Sequence, residues 1–364
     1  MNSKIITLST EADTAIWSDV LAACGDYDVY HTAQYHTAAG DAGQGKPVLL
    51  VVECAEGTTA LPLLIRTDSQ SDAASFCDAV SVYGYGGPVS SVEAVLATTG
   101  DLAGRIGGAL LQLMRKLQLV SVFTRMHPLL DTAWVIDAIG ETKAVGPTVV
   151  IDLKDPLDQQ QRAIRKGHRS TIKKALRSNI VVKEDPEWRQ LDDFVAAYAE
   201  TMGRVGATDD YSFSHAEFLN LHRQLGEKVR LFHALVDGQV IASSMFFACN
   251  DILQYHLGAT YNDWTKLSPS LAILDHVRLW GAENDFRWLH LGGGVQGNED
   301  AVFRFKSGMS KLRKQFEWGS VVVDHDRYDD LTRRQYKKLG GTSVEELRQD
   351  FFPLYRASMQ SDDC

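Results

Sequence analysis

The chain has 364 residues, of which 45% are hydrophobic and 23% charged, the balance of a folded globular protein long enough for two domains. Its net charge of -10 argues against polyanion or membrane binding by the surface as a whole, so any such partner must be held by a local basic patch. The five cysteines, Cys24, Cys54, Cys77, Cys249 and Cys364, are scattered and form no Cys-x-x-Cys pair, which supports neither a disulfide framework nor a zinc site.

A reducing cytoplasm is therefore the expected location. The stretch Met1 to Thr7 lacks the apolar core of a signal peptide, and no run reaches the roughly 18 to 20 apolar residues of a membrane span.

In chain order, Val48 to Glu53 and Thr58 to Arg66 read as two strands joined at Glu56-Gly57, and an apolar stretch follows from Val80 to Tyr85. The segment Tyr83-Gly84-Tyr85-Gly86-Gly87-Pro88 mixes aromatic faces with pliable backbone, which suits either a turn or the lining of a substrate cleft. Leu102, Ile106, Leu110 and Leu113 recur on one face of a helix that runs to Leu117, and a strand from Leu119 to Phe123 comes next. Gly104 to Ala109 has glycines without the spacing of a pyrophosphate loop and reads as helix packing.

Gly146-Pro147 marks the expected domain boundary, followed by a strand from Thr148 to Asp152. From about Gln159 to Ser178 a single helix is predicted. At 100° per residue it places Arg162, Arg165, Lys166, Arg169, Lys173 and Arg177 on one face, a cationic strip able to hold phosphates, or an ordinary solvated surface.

A helix from Trp188 to Thr201 leads to Arg204 and Tyr211. The second half then repeats the order of the first. Strands run from Val229 to Val236, Val240 to Phe247 and Ile252 to Leu257, the last carrying Tyr255 and His256. A helix spans Ser270 to Glu283, its entry at Ser268-Pro269-Ser270 having the composition of a cap and of an anion-binding terminus, and a strand runs from Trp288 to Leu291. Two meanders, each followed by helix and strand, predict a duplicated mixed α/β unit.

The most informative stretch is the last. A short apolar strand ends in Gly292, Gly293 and Gly294, which let a ligand approach bare backbone, and Phe303-Arg304-Phe305-Lys306 then presents a lysine flanked by aromatics. A lysine so placed is partly desolvated and suited to meeting negative charge that develops on a substrate.

Taken together, these segments resemble the FemABX group of the GNAT acyltransferase superfamily. The resemblance is carried by the basic run Arg162 to Ile180, Thr201-Met202-Gly203-Arg204 with Tyr211 and Phe213, Tyr255-His256-Leu257-Gly258, Leu267-Ser268-Pro269-Ser270, and Leu289 to Gly294 with Phe303 to Lys306. It covers most of the chain and is densest from Pro147 to Lys311.

It implies two GNAT-like domains with mixed sheets around a shared cleft, at residues 1-147 and 148-327, with a helical tail at 328-364 and no helical-hairpin arm. It also implies transfer of an aminoacyl group, usually from a charged tRNA, to an amine of a cell-envelope precursor or peptide-type metabolite. Lys306 would be the oxyanion-stabilising residue and Phe305 would shape its pocket. Tyr83, Tyr85, Arg204, Tyr211, Tyr255, His256, Ser270 and Gly292, Gly293 and Gly294 would contact substrate, and Arg162, Arg165, Lys166, Arg169 and Lys173 would hold the tRNA or donor phosphates.

No metal and no permanently bound cofactor are expected. Two departures from the family pattern bear on the acceptor and the donor. Gly86 stands where cross-bridge enzymes carry a basic residue before Gly87-Pro88, with Val89-Ser90-Ser91 in place of an acid after it. The ending Phe351 to Arg356 resembles GNAT-like proteins of surface-polysaccharide pathways, where the donor is an acyl-coenzyme A such as acetyl-coenzyme A and the acceptor an amino sugar. A catalytically silent fold that binds nucleic acid or an envelope precursor is the alternative from outside the enzymes.

Overall fold

Runs of β-branched and apolar residues on either side of a two-residue turn determine the first sheet. In the computed structural model, which describes residues 1-68, 76-206, 213-341 and 343-359, β1 (Asn2–Thr7) lies antiparallel to β2 (Lys46–Cys54), and β2 turns through Ala55-Glu56 into β3 (Gly57–Asp68). Strand β4 (Phe76–Val80) continues the sheet beside β3, and β5 (Val89–Ser90) pairs with the other end of β3. Strand β6 (Leu119–Arg125) then pairs parallel with β4.

The helix Leu102–Lys116 buries the four residues that the periodicity selects, Leu102, Ile106, Leu110 and Leu113, in one core with Leu50, Val52, Leu61 and Leu63 of β2 and β3. Leu110 is fully buried there, and removing a leucine side chain from such a place costs about 2 to 5 kcal/mol. Gly107 lies so close to the next segment that a Cβ on it would sit 2.7 Å from Ile139 and 2.8 Å from Ala138, so this glycine serves helix packing.

The second unit is built on the part of β7 (Glu141–Asp152) from Val145 onward and on β8 (Val181–Glu184), β9 (Val229–Val236), β10 (Gln239–Cys249), β11 (Ile252–Thr260) and β12 (Trp288–Gly292), in the spatial order β7-β12-β11-β10-β9-β8. Asp237 and Gly238 both take positive φ, the geometry of the tight turns that join twisted antiparallel strands such as β9 and β10. Strands β11 and β12 are instead parallel, because the helix Pro269–Glu283 carries the chain back between them. That helix buries Ile273, Leu274 and Val277 in a core shared with Phe232, Phe246, Leu253 and Leu289. The last strand, β13 (Leu312–Val322), starts in this unit and finishes in the first, where Trp318 to Val322 pair with β6.

The compact units are Met1–Ala144 with Glu317–Cys364, and Val145–Phe316. The boundaries expected from the sequence put 317-327 in the second domain and set 328-364 apart as a tail. Those residues group with the first unit instead, because Val321 and Val323 enter its core and Tyr355 and Arg356 bond to its buried polar groups.

The single helix expected from Gln159 to Ser178 is two helices, Leu157–Ala163 and Lys166–Arg177. Ile164 and Arg165 between them are extended, with ψ of 131° and 141°, since Ile164 turns fully into the core and the Arg165 N–H bonds the Gly308 carbonyl at 2.8 Å. The cationic periodicity runs through the break and conceals it. The helix expected to begin at Trp188 begins at Leu191.

Candidate active site

Parallel pairing between β11 and β12 lasts for Ile252 to Gln254 against Trp288 to His290 and then stops, while β11 continues to Thr260. Backbone groups beyond such a divergence need other partners, and ligands commonly enter at the carboxyl ends of parallel strands that part. Tyr255 is the first residue of β11 past the divergence.

On the β12 side the chain turns through its glycines. Gly292 has φ of +76°, and a Cβ on Gly294 would lie 1.9 Å from the Asn298 carbonyl oxygen. Glycine is therefore required at both positions for the chain to fold back. The short helix Ala301–Lys306 follows, capped by Asp300, whose carboxylate accepts from the N–H groups of Phe303 at 2.8 Å and Val295 at 3.1 Å. Burial tends to raise the Asp300 carboxyl, but these N–H groups and the Lys306 charge outweigh it and hold the pKa below the ordinary range.

This cap brings Lys306 back over the strand end. Its Nζ donates to the Gly293 carbonyl at 2.8 Å and lies 5.9 Å from the centroid of the Tyr255 ring. Burial pushes its pKa down to about 8, against the opposing pull of Asp300. An ammonium has three donors, and Gly293 takes one of them. A desolvated cation beside diverging strands can stabilise negative charge on a carbonyl oxygen. Phe305 is half-buried and packs on the core of this unit.

Two residues to which the sequence assigns no separate role complete the surroundings. Gly258 has no Cβ because the Tyr255 hydroxyl occupies its place, 1.9 Å from where a Cβ would be, and the register shift opposite Met245 and Phe246 lets the strand bend there. His168 is buried, with Nε2 at 2.9 Å from the carbonyl of Phe305 and Nδ1 at 3.2 Å from the Arg165 guanidinium. A histidine inside a basic run gives no sequence signal for such a contact.

The other expected substrate contacts divide. His256 lies 4.3 Å from the Phe247 ring centre to centre, and burial pushes its pKa down to about 3. Ser270 shares a hydrogen bond of 2.8 Å with Thr260, and Arg204 donates to the Thr260 carbonyl at 3.2 Å and to Asn262, which fastens the helix Leu191–Val205 to the end of β11. Tyr211 lies outside the described residues.

In the first unit, Tyr83 is exposed and Tyr85 packs edge-on against Tyr30 at 5.9 Å. Gly84 between them has φ of +108°, and a Cβ there would strike the Tyr30 ring at 2.2 Å. Within the same unit, His127 Nε2 meets the Asp28 carboxylate at 3.1 Å with both side chains fully buried. The imidazole Nδ1 accepts from the Leu129 N–H at 3.2 Å.

The basic strip is divided between two helices. Lys166, Lys173, Lys174 and Arg177 are exposed on the helix Lys166–Arg177, and Arg165 is exposed at its start. Arg162 belongs to the preceding helix, where it pairs with Asp158 at 3.0 Å. Arg169 turns one guanidinium nitrogen inward, where Nη1 donates to the carbonyls of Ile164 at 2.5 Å, Arg162 at 3.2 Å and Gln161 at 3.4 Å and closes the end of that helix.

Among the described residues no group of His, Cys, Asp or Glu is arranged to hold a metal, and no helix is long and apolar enough to cross a membrane.

Residues 162-307 match a family model described as an acetyltransferase (GNAT) domain. No curated protein matches the chain. Among solved structures, FemX is similar with a TM-score of 0.68 at 12% identity, over 90% of this chain and 99% of its own. L-PGS from Bacillus licheniformis has a TM-score of 0.55 at 12% identity, over 93% of this chain and 99% of its own. A conserved protein of unknown function from Bacteroides thetaiotaomicron VPI-5482 has a TM-score of 0.53 at 9% identity, over 87% of this chain and 100% of its own. At these identities the likeness is one of fold.

Proposed function

We infer, from the match of residues 162-307 to a GNAT domain model and the likeness in fold to FemX, that this chain is an N-acyltransferase of the FemABX type, moving an aminoacyl group from aminoacyl-tRNA to an amine. The acceptor would belong to a cell-envelope precursor or a peptide-type metabolite, and the cytoplasm, where charged tRNA is found, would be the place of reaction. The observation that carries this reading is the Lys306 ammonium, half-buried at the divergence of β11 and β12 and bonded to Gly293.

In this mechanism the acceptor nitrogen attacks the ester carbonyl carbon, and the carbonyl oxygen takes the negative charge that Lys306 stabilises. Collapse of the tetrahedral species forms the amide bond and expels the ribose hydroxyl of the tRNA, while the proton of the amine leaves through water. Arg162, Arg165, Lys166 and Lys173 are the proposed ligands of donor phosphates, and Tyr83, Tyr85 and Tyr211 the proposed acceptor contacts.

A second reading, an acyl-coenzyme A-dependent N-acetyltransferase acting on an amino sugar, is favoured by one observation. One guanidinium nitrogen of Arg169 is turned to carbonyls, which leaves less of the strip to track the backbone of a tRNA. The deciding experiment offers the purified protein a mixed charged-tRNA pool and, separately, acetyl-coenzyme A, each with candidate amines. Aminoacyl transfer that ribonuclease abolishes supports the first reading. Ribonuclease-insensitive transfer from the thioester alone installs the second.

A further inference from the structure

We propose that His168 is the positioning residue of Lys306: it fixes the peptide plane that carries the Lys306 amide nitrogen, and Arg165 holds its imidazole in the tautomer this requires. The inference rests on the reading of Lys306 as the working cation of the site.

The argument starts from donors and acceptors. A guanidinium only donates, so the 3.2 Å contact between Arg165 and Nδ1 makes Nδ1 the acceptor and leaves the proton on Nε2. Nε2 then donates to the Phe305 carbonyl at 2.9 Å. That carbonyl is joined through a planar peptide to the nitrogen of Lys306, so holding the oxygen sets the plane from which the Lys306 side chain departs.

The surrounding chain is arranged for this contact. The Arg165 N–H bonds the Gly308 carbonyl at 2.8 Å, which ties 165-168 to 305-308 at a second point. Gly308 has no room for a side chain, because a Cβ would lie 2.2 Å from His168 Nε2. The Phe305 carbonyl also accepts the Gly308 N–H at 3.2 Å, so the His168 bond adds a side-chain anchor to a backbone one. Burial lowers the His168 pKa, opposed by the Phe305 carbonyl and helped by the Arg165 charge.

The test reads Lys306 itself and needs no substrate. Full-length wild type, His168→Gln and His168→Met are labelled with limiting acetic anhydride across a pH series, and modification of Lys306 is followed by peptide mass spectrometry. Gln keeps an N–H donor and Met does not. Wild type and His168→Gln are expected to titrate near the value of about 8 that burial gives Lys306, and His168→Met to move upward by roughly one pH unit toward an ordinary lysine.

The proposal is overturned if His168→Met keeps the wild-type midpoint, if His168→Gln shifts as far as His168→Met, or if wild type titrates as an ordinary lysine. Should His168→Met fail to fold, Arg165→Met removes the tautomer clamp from an exposed position. It is expected to shift the midpoint in the same direction, and an unchanged midpoint overturns the proposal. A chain that labels as expected but transfers no acyl group would refute the transferase reading and leave this one standing.

Discussion

The Lys306 ammonium is bonded at 2.8 Å to the carbonyl of Gly293, the middle of the three glycines that end β12. A strand end and a helix end thus meet through one charge-assisted hydrogen bond. If that charge also meets a developing oxyanion, Lys306→Ala is expected to lower turnover by about 100-fold or more while the protein stays folded. Steady-state kinetics beside a circular dichroism spectrum check it, and near-normal turnover would remove Lys306 from the mechanism.

The lowered pKa of Lys306 has a sign that can be measured. Its folded value of about 8 lies below the ordinary 10.5, so between these the unfolded chain binds more protons and stability rises with pH. Below about 8 the cost of burying the charge is fully present. Lys306→Met is therefore expected to stabilise the protein most at neutral pH, with the advantage fading as pH approaches 10.5. Denaturant titrations at several pH values read this, and transfer activity should fall as pH rises through about 8.

The basic helix separates into surface and structural charges. Reversing Lys166 and Lys173 together is expected to weaken donor binding about tenfold at low salt and to flatten its salt dependence. Arg169→Ala should instead lower stability by roughly 1 to 3 kcal/mol, since three carbonyls lose a charged donor. Binding isotherms and melting curves distinguish the two outcomes.

Asp78 is fully buried between Arg66 at 2.8 Å and Arg356 at 2.5 Å, and it also accepts from the Tyr355 hydroxyl at 3.2 Å. Asp78→Ala leaves both cations without their carboxylate and is expected to cost about 3 kcal/mol. Loss of stability together with faster proteolysis after residue 324 would bear this out. A variant as stable as wild type would not.

Much of this fold is legible in the chain. The hairpins at 54-57 and 236-239 announce themselves by turn residues between apolar runs, and Leu102, Ile106, Leu110 and Leu113 by their spacing. The Lys306 segment stands out as a candidate because glycines precede it and aromatics flank its lysine. What stays hidden depends on partners far away in sequence. The break at Ile164-Arg165 needs Gly308 to take an N–H, His168 needs Phe305, and Asp28 needs His127. The ending Phe351 to Arg356, which points to a type of donor by resemblance, has a structural account: Tyr355 bonds Ser121 at 2.6 Å and Arg356 bonds Asp78.

The division of the first unit into 1-144 and 317-364 bears on how the protein is made. A ribosome delivers the whole of 145-316 before the strand that covers the free side of β6, so the second unit can finish folding while the first still shows an unpaired strand edge. The first unit, begun first, therefore cannot be completed until residues 317-322 have been made. The interval in which β6 is exposed is when a nascent chain most needs a chaperone.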